Sequence, residues 1–241
     1  MGTGERGRRV RQTLAVALGV LVIATFTTLG DLGDPVCYED FNDPGSGWDT
    51  GMGDTGLAYY RNGAFQIRMT HDDAILWSWS SCTSIPDTFV LEATGHTRPG
   101  IRNAAWGVIW GIDDENFLAF LITPFGEMTV LSMRNGKWQP DIIPWKKSPA
   151  IDQGDGVPNT LRVTVYEDLV DVAINKVRVG RFEIGEADDL AYGLLEGAES
   201  SGPGPVSLEV GSGWSVGIAA GSFKETPVEL DYVELAVYSL P

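Results

Sequence analysis

The 241-residue chain is poor in cysteine, in histidine and in positive charge. Its two cysteines, Cys37 and Cys82, are too few for a disulfide-dense small scaffold. Its two histidines, His71 and His96, stand at no spacing suited to zinc. Lys and Arg total 17 against 33 Asp and Glu. Setting aside residues 1–12, with Arg6, Arg8, Arg9, Arg11 and Glu5, leaves 13 basic and 32 acidic side chains, a net of −19. A surface of that sign repels phosphate backbones and anionic headgroups, which excludes nucleic acid as a partner. The chain has no G-x-S-x-G elbow, P-loop or dinucleotide fingerprint. It has no self-similarity at 20–50 residues, which excludes a propeller or solenoid. Helical periodicity is nearly absent after residue 31.

What is present begins with an uncharged run, QTLAVALGVLVIATFTTLG, over residues 12–30. As a helix rising ~1.5 Å per residue it spans a bilayer core of roughly 30 Å. The arginines before it make residues 1–11 a basic cytoplasmic tail and send the rest of the chain out. The expected protein is single-pass, with its C-terminal domain extracytoplasmic. The competing fate is a cleaved signal peptide, since Thr28 and Gly30 are small, and then the domain is secreted. Residues 31–37 read as a linker. Outside the cytoplasm a Cys37–Cys82 disulfide becomes plausible; the alternative is two separate buried thiols.

From residue 38 onward the pattern is period two. Ala64–Thr70 alternates with Phe65, Ile67 and Met69 on one face, and Phe89–Thr94, Leu161–Tyr166 and Val228–Tyr238 do the same. Asn135-Gly136 reads as a hairpin turn because both residues tolerate positive φ, and Asn62-Gly63 reads similarly. Strands recur about every ten residues with turn residues between them, which predicts an antiparallel sandwich or barrel. Residues 185–213, rich in Gly, Ser and acids, read as an inserted surface loop.

The order of several stretches carries a resemblance. Asp40-Phe41-Asn42-Asp43-Pro44-Gly45-Ser46-Gly47-Trp48 comes first. Asn62-Gly63-Ala64-Phe65, Phe89–Ala93, Trp106–Ile109, Asp113–Phe117 and Phe120–Ile122 follow. Asn159–Val163 and Leu230-Asp231-Tyr232-Val233 close the series. In this order they resemble bacterial extracellular modules of the concanavalin A-like lectin/glucanase superfamily, related to laminin-G-like domains. The resemblance implies an all-β antiparallel jelly-roll sandwich over residues 38–241, here preceded by one transmembrane helix. That fold hosts lectins, glycosidases, adhesins and spacers, so it leaves function open. This chain departs from the pattern in four places. Lys176, not Gly, follows Asn175, and the 185–213 insertion is longer than in relatives. Trp110 and Leu118 stand where relatives often carry Arg and Tyr.

Glycosidases need two carboxylates about 5–9.5 Å apart. The nearest match to a glucanase strand is Glu229-Leu230-Asp231-Tyr232-Val233-Glu234, but simple alternation turns Glu234 away from Glu229 and Asp231. The turn Asp113-Asp114-Glu115-Asn116 could hold a structural Ca²⁺ or be only a solvated hairpin corner. No catalytic residue and no cofactor are expected. The strands flanking that turn are apolar on both faces. One set fills the core; the other, taken to include Leu118 and Phe120, faces out and needs a cover. The 185–213 insertion, a sugar stacked on tryptophan, or a partner protein could supply it. Trp138 and Trp145 look exposed beside a basic pair, Lys146-Lys147. The expected contact residues are therefore Trp106, Trp110, Leu118, Phe120, Trp138 and Trp145. The apolar residues at 110 and 118 favour a protein or membrane-complex contact. The sequence reading is thus a non-catalytic, membrane-anchored assembly module, with a carbohydrate-binding domain and a glycosidase-like hydrolase as alternatives.

Overall fold

The computed structural model describes residues 32–101, 104–184 and 213–240. The expected tail (1–11), the anchor (12–30) and, save for Gly213, the insertion (185–213) lie outside the described residues. Among the described residues there is no helix, hence none long and apolar enough to cross a membrane.

The described strands are β1 (Cys37–Glu39), β2 (Gly51–Met52), β3 (Gly56–Tyr60), β4 (Phe65–Met69), β5 (Ala74–Trp79), β6 (Phe89–Thr97), β7 (Ala104–Asp113), β8 (Asn116–Ile122), β9 (Glu127–Arg134), β10 (Lys137–Trp138), β11 (Ile143–Lys147), β12 (Asn159–Tyr166), β13 (Leu169–Ile174), β14 (Val177–Glu183), β15 (Ser215–Ser222) and β16 (Val228–Ser239). They make two antiparallel sheets. The first runs β14-β13-β12-β6-β16-β4-β3-β2, with β1 also paired to β16. The second runs β10-β9-β8-β7-β15-β5, with β11 also paired to β9. β6 belongs to the first sheet and β7 to the second, so the chain crosses between layers there. The all-β sandwich expected from alternation and turn spacing is what forms.

Both Asn-Gly hairpins hold. Asn62 and Gly63 have φ of 55° and 72°, and Asn135 and Gly136 have 49° and 67°. Asn175 and Lys176 repeat this conformation at 49° and 69° between β13 and β14, with Lys in the place glycine would take at no steric cost.

The core lies between the sheets. Phe65, Ile67 and Met69 on β4, Phe89, Leu91 and Ala93 on β6, and Leu161, Val163 and Val165 on β12 enter it as period two requires. From the second sheet come Trp106, Val108 and Trp110 on β7 and Leu118, Phe120 and Ile122 on β8. This reverses the expected assignment of faces on β8: Leu118 and Phe120 point inward, and Phe117, Ala119 and Leu121 point outward with Ile109 of β7. Register fixes the parity. Trp110 pairs with Leu118 and Val108 with Phe120, and directly opposed residues share a face. Ile112 does not continue the inward face of Trp110 but is exposed, because the register shifts between Gly111 and Asp113.

One polar side chain crosses the core. Tyr232 of β16 is fully buried and packs edge-to-face on Trp106 at 5.7 Å. Its hydroxyl accepts from the Gly107 N–H at 3.1 Å and shares its single proton between the carbonyl oxygens of Ala219 and Gly107. Burial pushes this phenol far above its ordinary pKa. Gly95 keeps the space beside the pair, since a Cβ there would crowd both rings and the Asp231 carbonyl. At the other end Cys37 and Cys82 are joined by a disulfide with Cα atoms 5.9 Å apart. It links β1 of the first sheet to the segment following β5 of the second.

Candidate functional site

Each sheet also has an outer face, and the two differ in chemistry. The first sheet's outer face carries charge pairs. Arg162 lies opposite Glu92 in register, with Nη2 2.6 Å from Oε1. Arg181 lies opposite Asp171, also at 2.6 Å. Arg98 donates its Nε–H to both oxygens of Asp231 at 3.1 Å and Nη1–H to Glu229 at 3.1 Å. The two carboxylates of the glucanase-like stretch are thus both engaged by one guanidinium. Glu234 does not turn away as expected: the register shift between Tyr232 and Glu234 inserts one residue, so Glu234 returns to the face of Asp231. An acid and a base clamped by the same arginine are poorly placed to exchange protons with a substrate.

The second sheet's outer face is apolar and aromatic. Register sets Trp79, Gly217, Ile109, Ala119 and Leu131 in one row across five strands, and Trp77, Ala219, Gly107, Leu121 and Thr129 in the next. Each row contains small residues, Gly217 and Ala119 in the first and Ala219 and Gly107 in the second. At Gly107 a Cβ would run into the Phe120 carbonyl, and at Gly217 into that of Ser78, so these strands pack too closely for any side chain. Those small residues leave room for the edge-strand indoles to lie over the sheet. Trp77 reaches Phe117 of β8 at 5.0 Å between ring centroids, and Trp79 reaches it at 5.9 Å. Trp138 of β10 closes on the same ring from the other side at 5.7 Å. Phe117 is fully buried, Trp77 and Trp79 are half-buried, and Trp138 is 44% exposed.

The acidic turn organises this cluster. Asp114 Oδ1 accepts from the indole N–H of Trp77 at 2.8 Å and of Trp79 at 2.7 Å. Asp113 Oδ1 accepts from the Glu115 N–H and the Asn116 side-chain amide, both at 2.9 Å. Asn116 Oδ1 in turn accepts from the Asn135 N–H at 3.1 Å, which ties this turn to the β9–β10 hairpin. The turn is therefore neither a catalytic pair nor a bare corner. It is a bracket that fixes two ring planes. Among the described residues no group of three or more acidic, His or Cys side chains is placed to hold a metal ion.

Of the residues expected to make contacts, Trp106, Trp110, Leu118 and Phe120 fill the inter-sheet core and offer no surface. Trp138 stands in the aromatic cluster. Trp145 is exposed at the opposite end of the sheet, edge-to-face with Phe223 at 5.7 Å. Trp77 and Trp79 were not expected. Their signal is the alternation Ile75, Trp77, Trp79 against Leu76, Ser78, Ser80, which places both indoles on one face.

No known family profile matches the chain, and no curated protein does. Solved structures match its shape. The carbohydrate-binding module CBM66 from Bacillus subtilis aligns with TM-score 0.54 at 14% identity, over 80% of this chain and 96% of that one. A protein of unknown function with a galectin-like fold from Bacillus subtilis aligns with TM-score 0.58 at 12% identity, over 86% and 96%. The exoplasmic/lumenal domain of VIP36, in a Ca²⁺- and Man3GlcNAc-bound form, aligns with TM-score 0.54 at 10% identity, over 85% and 91%. At such identities the likeness is one of fold. The domain has the concanavalin A-like jelly-roll β-sandwich that the order of its motifs implied.

Proposed function

We propose that this domain is a non-catalytic carbohydrate-binding, lectin-like module whose ligand stacks on the aromatic cluster of the second sheet. The observation that carries the reading is the set of three accessible indoles around Phe117, two of them locked by Asp114. A pyranose offers C–H groups to a ring face and hydroxyls to its rim. Here the indole faces supply the first contact, and the carboxylates and amides of the 113–116 and 135–136 turns supply the second. Fixed rings lose little conformational freedom when a sugar docks. The carbohydrate-binding module and the Man3GlcNAc-bound VIP36 domain, both of the same fold, support this choice over a protein contact. The contact expected at Trp106, Trp110, Leu118 and Phe120 loses its basis, because those side chains are in the core.

Export is part of the proposal. The disulfide supports an oxidising compartment, and the 12–30 run with its arginines supports the route out, as anchor or signal peptide. The test is a glycan array probed with the wild-type domain, Trp138→Ala and Trp79→Ala. Binding to a defined set of neutral oligosaccharides, lost in both variants, is expected. No glycan binding by the wild type, or binding indifferent to both substitutions, would overturn the proposal.

A further inference from the structure

The first sheet's outer face holds a second feature. A cavity of about 680 Å³ opens over β12, β6 and β16, within the size range of small-ligand sites. Its floor is made of paired groups. Thr94 and Thr160 share a hydroxyl hydrogen bond at 2.9 Å, and Arg162 is held by Oε1 of Glu92. Its rim is not. Glu234 reaches it by the β16 bulge and makes no ion pair with any described cation. The second oxygen of Glu92 is likewise left over by the Arg162 contacts, which use Oε1 alone. Lys176 stands on the rim at the tip of the β13–β14 hairpin, held there by a left-handed backbone.

We propose that this cavity is a separate site for a saccharide that carries a protonated amine, such as an unacetylated hexosamine unit. The floor supplies hydroxyls that both donate and accept, which suits a polyol. Glu234 and the free oxygen of Glu92 supply acceptors for an ammonium, and charge-assisted bonds are the strong ones. Even with Lys176 the lining is net negative, because Glu92, Asp152 and Glu234 outnumber Arg162 and Lys176. The acidic surface around it attracts cations and repels anionic sugars. Tyr38 and Tyr238 flank the same carboxylates. Glu234 raises the Tyr38 phenol above its ordinary pKa, and burial, then Glu92 and Glu234, raises that of Tyr238. The inference deepens the carbohydrate reading but uses a different face and different residues.

The experiment is titration calorimetry of the domain with a glucosamine tetramer and with its fully N-acetylated counterpart, at low and moderate salt. The free-amine tetramer is expected to bind at least about tenfold more tightly, as one charge-assisted contact implies. Glu234→Gln is expected to remove that preference; the side chain is exposed and makes no ion pair among the described residues, so the fold should survive, which a circular dichroism spectrum of the variant checks. Lys176→Gly removes the unpaired like charge on the rim and tightens amine binding. Trp138→Ala leaves the preference unchanged, which separates this site from the aromatic one. Equal affinity for the two tetramers, no binding of either, or a preference that survives Glu234→Gln would overturn the inference while leaving the aromatic-site proposal standing.

Discussion

Tyr232→Phe deletes one oxygen atom from the centre of the sandwich and tests how the two sheets are held together. The ring stays, so the edge-to-face contact with Trp106 and the packed volume are unchanged. What goes is the acceptor for the Gly107 N–H and the donor to the Ala219 and Gly107 carbonyls. All of these groups lie where no water replaces the lost partner. A net hydrogen bond is worth about 1 kcal/mol, and leaving its buried partners unmet costs about 1–3 kcal/mol, so roughly 2 kcal/mol of stability should disappear. For a domain of this size that lowers Tm by about 4–8 °C. Differential scanning calorimetry of the two proteins measures it, with urea titration confirming an unchanged m-value. A drop below 1 °C would mean that the hydroxyl merely breaks even against its own desolvation, and that apolar packing alone joins the layers.

Other outcomes follow from the same geometry. Replacing both Cys37 and Cys82 by Ser opens a loop with a sequence separation of 45; chain entropy sets the loss at about 4 kcal/mol, or about 8–16 °C in Tm, and a shift under 2 °C in a thermal melt would refute it. Lys176→Gly should stabilise the fold by about 0.5–1 kcal/mol in urea titration, because the left-handed backbone costs Lys about 1–2 kcal/mol and glycine's extra chain entropy returns only part. Asp114→Ala frees both indoles, so glycan affinity should fall about tenfold with a shift in tryptophan emission, while Asp114→Asn keeps one acceptor oxygen and restores part of the affinity. Trp106→Ala should cost about 3–5 kcal/mol by emptying the core, whereas Trp138→Ala should abolish glycan binding with little change in Tm.

The fold was legible because its signals are local. Alternation within a strand marks which residues can share a face, and Asn-Gly marks where the chain can reverse, so β4, β6, β12 and β16 and both Asn-Gly hairpins could be read directly. Which face of β8 points inward is not local. Phe117–Ile122 is apolar at every position, and only the pairing of Leu118 with Trp110 decides it. The bulge that returns Glu234 to the Asp231 face is invisible for the same reason: an inserted residue leaves no mark in a strand whose alternation looks regular. The aromatic cluster escaped because it is assembled from both edges of a sheet. Trp79 and Trp138 stand on β5 and β10, at opposite ends of the strand order, and meet only through Phe117.

A sandwich needs one apolar face per sheet, and the first sheet obeys that rule by covering its outside with charge pairs set directly across neighbouring strands. The second sheet does not. Its outer face carries three indoles around Phe117, which with Ile109, Ala119, Leu121 and Met133 forms a second buried apolar cluster. Burial of that cluster accounts for the apolar side chains but not for how the indoles are held. Indifference does not account for it either, because a random apolar patch would not place a carboxylate within 2.8 Å of two indole N–H groups. Fixing a ring that solvent can reach limits its freedom before anything binds, and that limit is useful only if something does. The same reasoning separates this patch from Trp145 and Phe223, which touch each other but have, among the described residues, no hydrogen-bond partner fixing their planes. The bracketed cluster, not the loose pair, is where a ligand should be sought first.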